Sequence, residues 1–436
     1  MKSFVASNAY LSTAHHLIPG GAHTYAKGDD QYPEGMAPVI ERGAGCRVWD
    51  IDGNEYVEFG SGLRSNLLGH GFEPVVRAAR GWLEDGVNFV RPHRLELEAA
   101  ERLIELIPSA EMVKFGLNGS DATTAAVRLA RAYTGRDLVA VCRDQPFFST
   151  DDWFIGTTPM SAGIPEATRR LTLQFSYNDL PDVARLFDAH PGRIAAVILE
   201  AETVQPPAPG YFDGLHRMCD QHGALLILDE TITGFRWHVR GAQFVHDIEP
   251  DLSTFGKGIA NGYPLSALTG RRDVMRLGGF VDDADRVFLL SLTSGAQPWA
   301  LAAMLTVIDT VQRERTSERL LQSGGELRRG VEAVGADAGL SSYFQLRGRD
   351  CNLIYVARDA AGQPSQAFRT LVLQELVDRG ILAPSFVVCA AHDQAAIGQV
   401  VEAVAELMPL YRRALESGVE QVLRGRPVRP AIRARG

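Results

Sequence analysis

Hydrophobic positions change their spacing several times along this chain. From Cys46 to Phe59 the stretch CRVWDIDGNEYVEF alternates apolar and polar residues around Asp52, Gly53 and Asn54, a pattern that predicts a β-hairpin with a tight turn. From about Val75 the interval lengthens to that of a helix, and LELEAAERLIELIP, closed by Pro108, repeats it. Short apolar runs then recur between helical stretches: MVKFGL, LVAVC, IAAVILE, ALLILDE and PLSALTG. Apolar strands alternating with helices predict an α/β fold whose central sheet is mostly parallel and covered on both faces. After about Gly324 the pattern predicts a smaller α+β unit, with NLIYVAR as a strand and SQAFRTLVLQELVDRG and AAIGQVVEAVAELMPLYRRALESG as helices. The expected division is 1–60, a segment packing with the small domain, 61–323, the large domain, and 324–436, the small domain.

Length and composition narrow the class. With 436 residues, 45% of them hydrophobic, the chain can bury a large core. Its net charge of -9 argues against nucleic acid or an anionic membrane as the main partner. The Arg- and Pro-rich end RGRPVRPAIRARG is read as a frayed terminus. Five cysteines, Cys46, Cys142, Cys219, Cys351 and Cys389, lie far apart with no Cys-x-x-Cys pair, which fits a reducing compartment and argues against a zinc cage. His15, His16, His23 and His70 have no metal-ligand spacing either. No apolar run is long enough for a signal peptide or a membrane span, so a cytoplasmic setting is expected.

Three local patterns carry chemistry. In TFGKGIANGYPL, Lys257 stands between two glycines. A phosphate loop would need Gly five residues before its Gly-Lys and a hydroxyl directly after, and those positions hold Asp251 and Gly258. A solvated loop lysine and a Schiff-base lysine both remain open. In GALLILDETITGF a buried run delivers Asp229 and Glu230 to the carboxyl edge of a sheet, where open α/β folds bind ligands. In FGLNGSDATTAAVRLARAYTG, Gly119 and Ser120 open a helix whose N–H groups and hydroxyl suit a phosphate. An ordinary helix cap made by Ser120 or Asp121 is the plainer alternative. Together, an anion site, a strand-end carboxylate and a glycine-flanked lysine are what pyridoxal phosphate requires.

The order Gly119-Ser120, LDETITGFR, PDLSTFGKGIANGYPL closely resembles the class III aminotransferases of the type I pyridoxal-phosphate fold, in the branch of glutamate-1-semialdehyde aminomutase and its sugar- and polyketide-pathway relatives. The likeness runs from IPGG at Ile18–Gly21 to ILAPS at Ile381–Ser385, nearly the whole chain. It implies a large domain with a mostly parallel sheet and a smaller α+β domain, pyridoxal 5'-phosphate as cofactor, and a homodimer with the active site at the interface. Carried over by position, Lys257 is the Schiff-base lysine and proton-transfer base, Asp229 the partner of the pyridinium nitrogen, and Thr231 the residue on the ring face. Gly119 and Ser120 match the phosphate turn, Glu200 a glutamate near the cofactor, and Thr293 a threonine that reaches the phosphate from the partner subunit.

The chain departs from that family in three places. QPFFST stands where an aromatic-His-Gly stretch is usual, so Phe147 or Phe148 is expected to supply the stacking face without a hydroxyl or imidazole, the alternative being two core phenylalanines with stacking done elsewhere. Near the position of the arginine that takes the substrate carboxylate in aminomutases, this chain has Lys27, which lacks the bidentate fork. Arg64 replaces small residues of the aminomutase pattern, as a substrate contact or equally as a surface or dimer-contact arginine, and His23 with Tyr25 is placed at the pocket entrance; His23, Tyr25, Lys27 and Arg64 are the candidate substrate residues. The expected activity is transfer of an amino group between an amino donor and an aldehyde or ketone, with sugar and secondary-metabolite intermediates among the candidates. An intramolecular aminomutase and a catalytically silent cofactor-binding subunit are the alternatives.

Overall fold

The structure is a computed structural model describing residues 2–280 and 285–433. The chain divides into two units, one made of Met1–Leu63, Leu67–Phe72 and Arg319–Gly436, the other of Arg64–Asn66 and Glu73–Glu318.

The first unit begins with an antiparallel meander of β1 (Ile40–Ala44), β2 (Arg47–Asp50) and β3 (Glu55–Glu58). The hairpin expected around Gly53 is β2 and β3, with Gly53 left-handed at φ 84. Asp50 ties the turn together: Oδ1 accepts from the N–H groups of Asp52 at 3.0 Å and Asn54 at 2.7 Å. Its Oδ2 accepts from the Asn54 amide at 2.7 Å and the Tyr56 hydroxyl at 2.9 Å.

The second unit is built on seven strands: β4 (Met112–Gly116), β5 (Leu138–Cys142), β6 (Thr172–Phe175), β7 (Ile194–Leu199), β8 (Leu225–Asp229), β9 (Leu252–Phe255) and β10 (Ser266–Gly270). Their order across the sheet is β4-β10-β9-β8-β7-β5-β6. Every residue of β5, β7, β8, β9 and β10 is buried, as continuous apolar runs require when helices cover both faces. Only β10 runs against its neighbours β4 and β9. Segment 256–265 explains why, because it is shorter than the crossover of a dozen or more residues that parallel pairing needs. The helix Gly119–Thr134 packs on β10, β9 and β7, while Pro298–Arg313 packs on Glu73–Leu83 and Arg94–Leu106.

Back in the first unit, β11 (Phe344–Arg347) and β12 (Ile354–Ala357) form a second hairpin, and β13 (Ile381–Leu382) adds to β3 in parallel. The helices Gln366–Asp378 and Gln394–Ser417 pack together there. The basic end is not frayed over its described length. Val428 N–H donates to Thr370 Oγ1 at 2.8 Å, Arg429 N–H to the Asp30 carbonyl at 3.0 Å, and Arg433 pairs with Asp30 at 2.5 Å. Residues 434–436 lie outside the described chain. Among the described residues no helix is long and apolar enough to cross a membrane.

Candidate active site

A cavity of about 310 Å³ opens at the carboxyl ends of β7 and β8, within the size range of small-molecule sites. It is lined by Lys257, Asp229, Glu200, Thr231, Gly119, Ser120, Phe147 and Phe148, all in the second unit. The structure thus brings together eight residues that lie up to about 140 positions apart in sequence.

Lys257 follows β9 through Gly256 and opens a 3₁₀ turn, Lys257–Ala260, that ends on left-handed Asn261. Lys257 itself has φ 44, a conformation that costs a non-glycine residue about 1 kcal/mol or more. Its ammonium makes no hydrogen bond among the described residues. Burial pushes its pKa below the ordinary lysine range; the charges of Asp229 and Glu200 oppose this, and those of Arg64 and Arg236 add to it. Gly256 is needed for packing: a Cβ there would come 3.1 Å from Thr231 Cγ2, and one on Gly119 would come 3.0 Å from the same methyl. Thr231 therefore fills the space the two glycines leave.

The adjacent carboxylates Asp229 and Glu230 separate in role. Glu230 is fully buried and accepts from the Thr233 hydroxyl, from Ala242 N–H at 2.9 Å and from Gln243 N–H at 2.8 Å, which fixes the turn after β8. Asp229 lines the cavity, with only Oδ1 occupied, by Thr231 N–H and the Thr254 hydroxyl, both at 2.9 Å. Burial raises its pKa, and the Thr231 side chain and N–H, then Lys257 and the Thr254 hydroxyl, counter the rise. Glu200, one residue beyond β7, is pushed up to about 8 by burial and then by Asp229, with Lys257 and Arg64 opposing.

At the helix Gly119–Thr134 the cap is made by Asn118, whose side chain accepts from Asp121 N–H at 3.1 Å, and by Asp121, which accepts from Leu117 N–H at 2.8 Å. Ser120 is not used for capping. Its Oγ accepts from Thr150 N–H at 3.0 Å, which leaves its proton to donate into the cavity. Thr231 Oγ1 is buried without a partner.

These features fit pyridoxal phosphate: a buried amine, a carboxylate with one open oxygen, an orphaned hydroxyl, and a helix N-terminus with a free hydroxyl. Phe147 and Phe148 both line the cavity, each edge-on to Phe154 at 5.6 and 5.5 Å.

Other expected residues are not among those that line this cavity, although the charge of Arg64 acts on Lys257 and Glu200. Thr293 is exposed in a separate groove formed by 87–93 and 291–298. His23, Tyr25 and Lys27 are exposed on or beside a short 3₁₀ turn of the first unit. Arg64 has φ 74, and its carbonyl accepts from Arg236 at 3.2 Å. Asn118, Thr150, Ser65 and Tyr263 also line the cavity, and none was singled out from sequence. Each sits in a loop without periodicity, and only Asn118, three residues before Asp121, carries a cap signal.

The family model described as aminotransferase class-III matches residues 29–387. A glutamate-1-semialdehyde 2,1-aminomutase of Syntrophobacter fumaroxidans is 32% identical over 421 residues, covering 91% of this chain and 96% of that protein. The FumI protein of Sphingopyxis sp. MTA144, solved as its pyridoxal-phosphate internal aldimine, superposes with a TM-score of 0.83 at 26% identity, covering 94% of this chain and 97% of its own. An omega-transaminase from Sphaerobacter thermophilus gives 0.83 at 27% identity, with coverage of 93% and 98%.

Proposed function

The chain belongs to the class III aminotransferases, with pyridoxal phosphate as cofactor, and from that premise we propose that it moves an amino group between an amino donor and an aldehyde or ketone. The carrying observation is the buried, unbonded Lys257 ammonium beside Asp229 and Glu200 in one cavity. When bound, the cofactor supplies an aldehyde that amines bond and a cationic ring that takes up the electrons left when a proton leaves carbon.

In this reading the chain's residues hold and move protons. Lys257, whose proton affinity burial lowers, anchors the cofactor and then carries a proton at the substrate carbon. Asp229 offers its open oxygen to a ring N–H, and that positive charge reverses the effect of burial, keeping the carboxylate ionised. Ser120 and the N–H at Gly119 would hold the phosphate, Thr231 would pack against the ring, and Phe147 or Phe148 would supply a stacking face, since all five line the cavity. Glu200 keeps its proton near neutral pH and so adds no second negative charge beside Asp229.

Substrate selection is assigned to Arg64, His23, Tyr25 and Lys27. A homodimer is part of the proposal: Thr293 lies in an exposed groove with Phe89 and Val90, the latter 98% exposed, apolar surface that a second copy would cover. Five buried, unbridged cysteines support a cytoplasmic setting.

The aminomutase-named relative favours a second reading, in which one amino aldehyde is rearranged with no external donor. Absorption spectra of purified protein, taken before and after single amino donors, separate the two. Conversion of the visible band by one donor establishes transamination. A band that only an amino aldehyde changes favours the aminomutase, and no band at all would leave a silent subunit.

A further inference from the structure

Gln145 lies three residues beyond β5, in the loop that carries Phe147 and Phe148 into the cavity. Its carboxamide is buried, with the residue 3% exposed, and grips the backbone of Glu200 twice. Nε2 donates to the Glu200 carbonyl at 2.7 Å, and Oε1 accepts from the Glu200 N–H at 2.7 Å. A neighbouring strand would satisfy the same two backbone groups. The parallel ladder between β5 and β7 ends at Val141 and Ile198, so the side chain supplies a further rung that the departing β5 backbone no longer gives.

The carboxyl of Glu200 makes no hydrogen bond among the described residues. What places it beside Lys257 and Asp229 is therefore its backbone, and Gln145 fixes that backbone. The same loop is tied at its far end to the helix Gly119–Thr134. The Phe148 carbonyl accepts from the Thr123 hydroxyl at 2.8 Å, the Ser149 and Thr124 hydroxyls meet at 3.0 Å, and Thr150 N–H reaches Ser120 at 3.0 Å. Residues 145–150 thus span from the acid cluster to the anion-binding turn.

We infer that Gln145 is a positioning residue: its paired hydrogen bonds to the Glu200 backbone set where the Glu200 carboxyl stands beside Lys257 and Asp229 and where the Phe147–Phe148 face begins. This rests on Lys257 being the cofactor-binding lysine. The charged and titrating groups acting on the cluster are Lys257, Asp229, Glu200, Arg64 and Arg236. Buried Cys142 and Tyr177 sense Glu200 as well.

The test compares wild-type holoenzyme with Gln145→Met, which keeps length and removes both hydrogen bonds, and Gln145→Asn, which stays polar but is too short to bridge them. Tyr411→Phe, which loses hydrogen bonds to Arg358 in the first unit, serves as a control for general destabilisation. The pH midpoint of the visible band is expected to move by about half a unit or more in both Gln145 variants. Single-turnover rate constants with an amino donor should fall about tenfold. The control should lower Tm and leave the midpoint in place. A wild-type band whose midpoint and rate are unchanged in the Gln145 variants overturns the positioning role alone. A wild-type protein with no visible band overturns the cofactor-lysine reading and this inference with it.

Discussion

Two buried aspartates at strand ends, one in each unit, face opposite demands. Asp50 closes the hairpin of the first unit with four hydrogen bonds shared over both oxygens, from two backbone N–H groups, an amide and a hydroxyl. Asp229 at the end of β8 receives two, both on one oxygen, and stands beside an unbonded lysine, a glutamate whose pKa burial raises and an orphaned hydroxyl. A satisfied buried carboxylate stabilises a turn, whereas a half-satisfied one stores free energy that a ligand can recover. The backbone repeats the contrast: Lys257 is left-handed where glycine would cost nothing, while the hairpin puts its left-handed position on Gly53.

The largest test of that contrast is Lys257→Ala. Turnover should fall by about 10⁴-fold or more and the visible band should vanish, because among the described residues no other amine lines the cavity. Tm of the cofactor-free protein should hold or rise, since a buried unpaired ammonium is removed. A pair of aspartate variants comes next. Asp50→Ala should cost about 3 kcal/mol in urea unfolding, as its donors lose their acceptor, while the visible band of the remaining folded protein is unchanged. Asp229→Asn should do the reverse, with little loss of stability and a rate about 10²- to 10³-fold lower in stopped-flow half-reactions. Equal stability losses in both would erase the distinction.

A smaller effect is read in the pH dependence of the cofactor-free protein. Glu200 binds its proton up to about 8 in the folded chain but only to 4.5 at its ordinary value. Between those values only the folded state holds that proton, so its stabilising effect is complete below 4.5 and is lost as pH rises through 8. Glu200→Gln should remove this decline, gaining on wild type by a few kcal/mol between pH 5 and 9 in urea midpoints. Lys257, lowered by burial, acts in the opposite sense at higher pH, which is why the comparison is made between variants. Parallel curves for the two proteins would show that burial does not raise the Glu200 pKa in the folded chain.

Much of this was legible in sequence where chemistry coincides with a regular element. Apolar runs announced β5, β7 and β8, so Asp229 could be placed at a strand end and Gly119-Ser120 at a helix start, while Glu200, just past β7, came from the family resemblance. The direction of β10 was not legible, because it depends on the length of the connection from β9 rather than on hydrophobic spacing. Gln145, Thr150 and Tyr263 were silent, since a loop side chain that bonds a distant backbone leaves no periodic trace. The basic tail misled in the other direction: its charge suggested fraying, yet Asp30, Glu34 and Thr370 hold it through ion pairs and backbone hydrogen bonds that composition does not reveal.

The smallest expected effect is the sharpest on the idea of stored free energy. Thr231 Oγ1 is buried with no partner, a state that costs a hydroxyl about 1 to 3 kcal/mol. Its methyl, by contrast, packs into the space above Gly119 and Gly256. Thr231→Val keeps the methyl and deletes the orphan, so the cofactor-free protein should gain about 1 kcal/mol in urea unfolding. If the hydroxyl finds its partner when the cofactor binds, the same variant should bind pyridoxal phosphate several-fold more weakly in spectral titration. Stability gained with affinity unchanged would mean that the hydroxyl is a packing defect, and that the poised state of the site resides in Lys257, Asp229 and Glu200 alone.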